Sequence, residues 1–242
     1  MRAGNAWCAE EVCPQECSGG TVVSSNHSDD CPDGSCDCQC DCAPPVTTCP
    51  NPTCFRGVWE CDSPIVIDWK GEGFHLTSAA DGVYFDFSGK GQFQKVAWTD
   101  PSYSNAWFAL DRNGDGKISD GTELFGNVTP QPPSDHPNGY LALAEYDKPE
   151  NGGNNNGLID PGDTIYPKLL LWIDSNHNGI SEPQELHHLN ELGIGKIDLQ
   201  YQEKDVTDQY GNIFRYRARV WDLRGYHGSR WTWDVFVQHI SQ

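Results

Sequence analysis

One stretch of this chain alternates between apolar and basic side chains: Phe214-Arg-Tyr216-Arg-Ala218-Arg-Val220. Side chains of a β-strand point alternately to the two faces of a sheet. The pattern therefore predicts a strand with its apolar side chains in the core and its arginines on the outer face. Ile197-Asp-Leu-Gln-Tyr201 alternates in the same way, and a Tyr210-Gly-Asn turn lies between the two segments. Together they predict an antiparallel hairpin or meander.

Short apolar runs predict further strands, and two segments predict helices. The predicted strands are Ile65–Ile67, Gly82–Phe87, Val96–Trp98, Ala106–Leu110, Leu169–Ile173 and Trp231–Val237. The tryptophans in these runs are predicted to be core residues, namely Trp98, Trp107, Trp172 and Trp233. Leu141–Tyr146 is compatible with a helix, and a helix over Glu182–Leu192 would place Leu186, Leu189 and Leu192 on one face before Gly193. We predict an α+β fold of mostly antiparallel β-strands, with a few short helices and EF-hand-like calcium loops.

The cysteines divide the chain into two parts. All eleven fall between Cys8 and Cys61. We predict a Cys/Pro-rich segment at residues 1–61, cross-linked by disulfides, and a calcium-binding globular domain at residues 62–242. The run Cys36-Asp-Cys38-Gln-Cys40-Asp-Cys42 leaves a thiolate metal cluster as an alternative. The odd number of cysteines leaves one free or bonded to another chain, which allows self-assembly or a covalent partner.

Composition excludes several kinds of partner. With 35 acidic and 16 basic residues, the formal charge is −19, which argues against nucleic acid. No apolar run reaches the roughly 18 residues of a membrane-spanning helix, so no membrane span is expected. No secretion leader is visible in the chain, yet the cysteine density indicates an extracellular or cell-surface protein.

The first candidate metal loop is Asp111-Arg-Asn113-Gly-Asp115-Gly116-Lys-Ile-Ser119. Oxygen side chains at every second position, followed by a glycine, are typical of a loop that wraps a calcium ion. The predicted ligands are the side chains of Asp111, Asn113, Asp115 and Ser119, the carbonyl of Lys117 and the closing acid Glu123. Glu123 lies one residue beyond the usual twelfth position, and Asp120 is the alternative closing acid. A plain Asn/Asp/Gly turn without metal is the competing interpretation.

A later loop repeats this scheme and ends with an acid at its twelfth position. The predicted ligands are Asp174, Asn176, Asn178, the carbonyl of Ile180, and Glu185. It has fewer carboxylates than the first loop, so we expect a weaker calcium affinity, with a Kd on the order of 10⁻⁴ M. We also expect a helix to follow this loop.

A third loop lies between these two and is less regular. Its predicted ligands are Asn154, Asn156, the carbonyl of Leu158, Asp160 and Asp163. The first position falls on Gly152, so Asp147 or Asn151 would have to reach in from the preceding turn. A metal-free glycine/asparagine loop explains the sequence nearly as well.

Two other segments have the same skeleton but carry lysine near the ligand positions: Asp68-Trp-Lys70-Gly-Glu72-Gly73 and Asp86-Phe-Ser88-Gly-Lys90-Gly91. A fixed ammonium group opposes a bound cation, so we predict that both are empty.

These loops resemble those of bacterial calcium-binding proteins with EF-hand-like Asp-x-Asn-x-Asp-Gly loops, in the style of dockerin and haemolysin-type repeats. The resemblance covers most of residues 62–242, where Trp107–Gly126 and Leu171–Leu186 carry the clearest motifs. It implies calcium as a structural ion and placement outside the cell or in its envelope.

No nucleophile elbow, zinc-protease motif, phosphate loop or dinucleotide fingerprint is found, so we predict a protein that is not an enzyme. The leading hypothesis is a secreted, calcium-binding structural or assembly module, for example of a filament or cell surface. A carbohydrate-binding module that uses Trp221 and Trp231, and an accessory domain of a hydrolase, are the alternatives.

Overall fold

The structure is a computed structural model that describes residues 62–224 and 230–240 in full. Before residue 62 it describes the backbone of four short strands only, and the predicted disulfides or thiolate cluster lie outside the described residues. The chain divides into two compact units, Met1–Cys61 and Asp62–Gln242. The strands of the first unit form two antiparallel pairs, β1 (Val22–His27) with β2 (Cys38–Cys42) and β3 (Thr53–Phe55) with β4 (Val58–Glu60).

The second unit is built mainly from strands. They are β5 (Ile65–Asp68), β6 (Val83–Phe85), β7 (Gln94–Val96), β8 (Asn105–Ala109), β9 (Leu158–Ile159), β10 (Leu170–Trp172), β11 (Leu186–His188), β12 (Ile194–Asp198), β13 (Gln202–Thr207), β14 (Ile213–Asp222), β15 (Arg230–Phe236) and β16 (His239–Ile240). The described residues contain one α-helix, α1 (Gly139–Ala144), capped by the side chain of Asn138. Short 3-10 turns cover Gly121–Glu123, Pro149–Asn151, Tyr166–Lys168 and Pro183–Glu185.

Nine of these strands form one curled, half-barrel sheet in which every described pair is antiparallel. Its order is β11-β10-β8-β5-β15-β14-β12-β9, and β13 also pairs with β14. The longest strand, β14, contains the alternating stretch Phe214–Val220 and pairs with β12, β13 and β15. The predicted meander is therefore confirmed, and it lies within a larger sheet. A separate three-stranded sheet has the order β16-β7-β6.

Both faces of the large sheet are covered at its centre. On β5, Ile65 and Ile67 join a cluster with residues of α1, whereas Val66 joins a second cluster with the three-stranded sheet. The four tryptophans predicted for the core are all buried, with Trp98, Trp107 and Trp172 fully enclosed. Burial on two faces explains why the central strands read as continuous apolar runs instead of alternating.

The prediction of an α+β fold with EF-hand-like loops was wrong. The described domain is mostly antiparallel β, and only the segment around Leu141–Tyr146 forms an α-helix. The helix expected over Glu182–Leu192 is a 3-10 turn at Pro183–Glu185 followed by strand β11. Leu186 pairs with Trp172 at the edge of the sheet, and this pairing outweighs the helical spacing of the leucines.

One arginine of the alternating strand departs from the expected outer face. The register of β14 with β15 shifts between Phe214 and Tyr216, which turns Arg215 inward. Its side chain is buried, pairs with Asp205 at 3.0 Å, and lies over the Phe236 ring.

No helix among the described residues combines the length and apolar character needed to cross a membrane.

Candidate functional site: oxygen-rich loops around the sheet

The first predicted loop follows β8 and is organised by Asp111. One oxygen of its carboxylate accepts hydrogen bonds from Gly114 N at 2.7 Å and Asp115 N at 3.2 Å, and the other accepts from Gly116 N at 2.9 Å. Asn113 and Asp115 each accept from a backbone N–H two residues on, at 2.8 and 2.9 Å. These bonds fix the side chains of the loop. Asp111 Oδ2, Asn113 Oδ1 and Asp115 Oδ1 each accept one of these bonds and keep a second lone pair for another partner.

Glu123 closes this loop from within the protein. Its two oxygens accept from Arg112 N at 3.1 Å and from Ser119 N at 2.8 Å, so the carboxylate joins the start of the loop to its end. The side chain is 3% exposed, and burial raises its pKa. The other closing candidate, Asp120, is engaged elsewhere, since it accepts from Thr122 N and Oγ1. Lys117 and Ser119 are exposed on the loop.

The later loop follows β10 and has the same construction. Asp174 accepts from Asn178 N at 3.1 Å and Gly179 N at 2.8 Å. The closing acid Glu185 is 2% exposed and accepts from Ser175 N at 2.9 Å and from Glu182 N at 3.4 Å. Asn178 accepts from Ile180 N at 2.7 Å. The left-handed backbone of His177, with a φ of 57°, completes the turn.

Glu182 belongs to this loop as well, although it was not among the predicted ligands. One of its oxygens accepts from the Nδ2 groups of Asn176 at 3.2 Å and Asn178 at 3.0 Å. Its other oxygen accepts no hydrogen bond from an N–H group of the described residues. The Glu182 carboxylate also interacts with the Glu185 carboxyl group, which lowers the pKa of Glu182. Rotation of either asparagine amide by 180° would present its oxygen to the same point. The position of Glu182, nine residues into the loop, was the available sequence signal.

The middle loop obtains its first carboxylate from outside the motif. Asp147, at the end of the helical segment, accepts from Asn156 N at 3.1 Å and Gly157 N at 2.8 Å. These are the bonds that Asp111 and Asp174 make in the other two loops. Asp147 and Asn151 were the two candidates for the first ligand of this loop. Asp147 is the one that bonds to the loop, whereas Asn151 Nδ2 donates to Glu145 O.

The rest of the middle loop follows the same plan. Its closing acid Asp163 is 2% exposed, accepts from Asn154 N at 3.1 Å and Asp160 N at 2.8 Å, and has a pKa raised by burial. Asn156 Nδ2 faces Asp160 at 3.2 Å, as Asn178 faces Glu182. Leu158 N donates to Asn156 Oδ1 at 2.8 Å, which places Leu158 in the loop while its strand β9 enters the sheet.

We call residues 111–123, 147–163 and 174–185 the closed loops, because a buried acid joins the two ends of each. Two of them contact one another. Ile118 N donates to Ser181 Oγ at 2.7 Å, and that hydroxyl donates to Ile118 O at 3.1 Å. Both residues are eighth in their loops, so the two loops are linked at equivalent positions.

The segments at residues 68–73 and 86–91, which we call the open loops, share only half of this plan. Asp68 accepts from Gly71 N, Glu72 N and Gly73 N, and Asp86 accepts from Ser88 N and Gly91 N. The twelfth residues of these loops are Ala79 and Ala97, so neither loop has a closing carboxylate at that position.

The donors of the closed loops fit a hard cation. Among the described residues, no three Asp, Glu, His or Cys side chains form a group that could hold a metal by themselves. Each closed loop instead combines two or three carboxylates with asparagine and carbonyl oxygens, which is the donor set that calcium prefers. This set does not suit zinc or copper, which select imidazole and thiolate.

Comparison with known proteins identifies a family different from the one inferred from the loops. The SPM domain model matches residues 65–230. The iron-regulated protein FrpA of Neisseria meningitidis serogroup C is 35% identical over 159 residues. That match covers 64% of this chain and 14% of FrpA, so the chain spans a small part of its relative's length. The predicted membership in an EF-hand-like, dockerin or haemolysin-type family was wrong.

Short Asp/Asn/Gly motifs recur in unrelated proteins, whereas the matching model spans the sheet from β5 to the start of β15. More than half of the chain is matched, and the protein therefore belongs to the SPM domain family.

Proposed function

We propose that residues 62–242 form a calcium-stabilised structural or assembly domain whose three closed loops each hold one ion. The observation that carries the proposal is the buried closing acid of each loop: Glu123, Asp163 and Glu185. The described hydrogen bonds to these acids come from their own loops, through backbone N–H groups and the Ser175 hydroxyl. A divalent cation between the closing acid and the first aspartate would offset the cost of burying both charges.

Calcium would act through linkage between binding and folding. An ion that binds the folded loops and not the unfolded chain adds RT ln(1 + [Ca²⁺]/Kd) to the free energy of unfolding. This amounts to about 2.7 kcal/mol for each site at a hundredfold excess over Kd. Two of the loops follow β8 and β10, and the third contains the start of β9. Occupied loops would therefore fix these ends of three strands of the large sheet.

The link between Ile118 and Ser181 supports coupling between two of the proposed sites. An ion that orders the first loop would also order the N–H and carbonyl groups that contact the later loop. The second ion would then find a loop that is already partly ordered, and binding would show positive cooperativity.

We also propose a cellular location for the domain and a role beside other domains. The cysteines of residues 8–61 and loops of modest calcium affinity favour an extracellular or cell-surface location, where calcium is abundant. Since the chain matches 14% of FrpA, we infer a module that works beside other domains, with the Cys-rich segment as a linker or cross-linking device. No catalytic role is proposed for the loops, because their acids are engaged by backbone donors.

Thermal unfolding of the purified protein in excess calcium, excess magnesium and chelator tests this function. We expect a calcium-specific rise of the unfolding temperature, with magnesium giving much less because it prefers a smaller, octahedral site. Calorimetric titration should give three ions per chain. Equal unfolding temperatures in calcium and in chelator would reduce the loops to Asn/Asp/Gly turns and refute the proposal.

A further inference from the structure

A groove on the surface of the domain lies at the end of β14 and includes one residue of a closed loop, Leu158. Its volume is about 340 Å³, and it is lined by Leu158, Lys196, Trp221, Asp222, Leu223 and Arg224. Small-ligand sites begin at volumes of roughly 300 Å³, so the groove is large enough for a sugar ring. We call it the Trp221 groove.

The pairing of β12 with β14 builds the groove. Lys196 pairs with Trp221, and the register shifts between Ile194 and Lys196. Gly195 permits a close approach of the chains at this shift, because a Cβ atom there would lie 2.7 Å from Asp222 O. Leu223 N donates to Gly193 O at 3.1 Å, which holds the end of β14 over the start of β12. Backbone contacts therefore hold together the two strand ends that carry the lining side chains.

The lining is positive in a protein that is strongly negative overall. The groove offers the ammonium of Lys196 and the guanidinium of Arg224, while the formal charge of the chain is −19. The one acid among the described residues of the lining, Asp222, accepts a hydrogen bond from Arg224 N at 3.0 Å and so helps to shape the turn. Two cations against one acid favour a ligand with a carboxylate.

The groove also has an aromatic and apolar wall. Trp221 is partly exposed, and Leu223 beside it is 52% exposed. A tryptophan ring next to charged groups gives a platform for the C–H face of a sugar, while the cations hold its polar substituents. Trp231, the other tryptophan of the sugar-binding alternative, differs from Trp221. The guanidinium carbons of Arg217 and Arg219 lie 4.1 and 4.4 Å from the Trp231 ring centre. Its stacking surface is used within the protein.

We propose that the Trp221 groove binds a carboxylated sugar, with Trp221 stacked on the ring and Lys196 and Arg224 paired with the carboxylate. A long, densely charged polymer such as nucleic acid is disfavoured by the acidic surface around the groove. A single carboxylated ring, at the end of a polysaccharide or between neutral sugars, meets the local cations without that penalty. None of these three groove residues is a proposed calcium ligand.

Calorimetric titration with a trisaccharide of two galactose rings and one terminal galacturonic acid tests the groove, with the neutral galactose trimer and triglutamate as comparison ligands. We expect binding of the acidic sugar alone. Lys196→Gln and Arg224→Gln should each weaken it about tenfold, since each removes one charge pair. Trp221→Leu should abolish measurable binding. The matched controls are Trp231→Leu and Lys204→Gln, which change an aromatic and an exposed lysine outside the groove and should leave the affinity unchanged.

The outcomes separate this site from the proposed calcium function. Unfolding temperatures of the variants show whether each is folded, and Lys196→Gln and Arg224→Gln change exposed side chains that the core does not need. Absence of binding, equal binding of the neutral trimer, or equal binding of triglutamate would each overturn the proposal. The titrations are run in calcium and in chelator, so that failure of the loops to bind calcium is recorded separately from failure of the groove.

Discussion

The closed and open loops of this domain begin in the same way and end differently. Asp68, Asp86, Asp111, Asp147 and Asp174 all accept two or three backbone N–H groups, and each fixes a glycine-containing turn. Only the closed loops bring a buried acid back to join both ends. The first aspartate is therefore explained by turn geometry alone, and the closing acid is the group for which we propose a cation. The Asp-x-Asn-x-Asp-Gly pattern by itself does not distinguish the two groups.

Buried acids that lie outside the loops provide the strongest test of this distinction. Asp62 is fully buried, and neither of its oxygens has a hydrogen-bond partner among the described residues. Burial, and secondly the negative charge of Asp86 in an open loop, raises its pKa to about 7. The nearest basic atom is His239 Nε2 at 3.6 Å, and burial lowers the pKa of that imidazole to about 4. Asp62 thus resembles a closing acid in burial but lacks the loop donors.

We predict that Asp62→Asn stabilises the protein at pH 8 by up to about 4 kcal/mol, and that calcium does not alter this gain. The raised pKa means that the folded wild type favours protonated Asp62, so its stability advantage is complete below pH 4 and is lost as the pH rises to 7. Chemical denaturation of both proteins from pH 4 to 8 measures the difference. His239→Gln is the control, because it removes the opposing titration between pH 6.5 and 4. A difference that does not change with pH would show that Asp62 is ionised throughout.

The next largest effect is expected from a closing acid. We predict that Glu185→Gln removes one calcium ion from the titration and lowers the free energy of unfolding in excess calcium by about 2.7 kcal/mol, with a smaller loss in chelator. Asp68→Asn, in an open loop, is the matched control. It weakens three backbone hydrogen bonds and should cost about 1–3 kcal/mol equally in calcium and chelator. Equal losses for Glu185→Gln in both buffers would erase the distinction between closed and open loops.

Sequence patterns predicted the positions of the central strands well, and predicted long-range strand pairing and register poorly. Strands β5, β8, β10 and β14 follow from their apolar or alternating residues, because burial on one or both faces leaves a direct record in the sequence. Leu186–His188 read as a helix because spacing by three suits a helix, whereas the long-range pairing with Leu170–Trp172 decides the structure. The inward turn of Arg215 depends on a register shift that no local pattern records.

The candidate metal sites show the same limit. Glu123 and Glu185 follow from their distance along the chain, since the loop itself sets that distance. Asp147 is separated from Gly157 by a 3-10 turn at Pro149–Asn151. The sequence alone did not distinguish Asp147 from Asn151 as the first ligand of the loop. Its role depends on the way in which the end of the helical segment packs beside the loop. The motif accounts for ligands within a loop and does not account for those brought in by the fold.

The smallest expected effect concerns the lysine of an open loop. The sequence argument for an empty loop rested on Lys70, yet the Lys70 ammonium lies 4.7 Å from the Trp69 ring centre and has a contact of its own there. We predict that Lys70→Asn costs at most about 1 kcal/mol, the value of a partly exposed cation–π contact, and that calcium binding stays at the wild-type number of ions. Removing the ammonium does not supply the missing closing acid at Ala79. Calorimetric titration of Lys70→Asn beside the wild type decides the matter. An additional calcium ion in the variant would mean that lysine repulsion, and not the closing acid, separates open loops from closed ones.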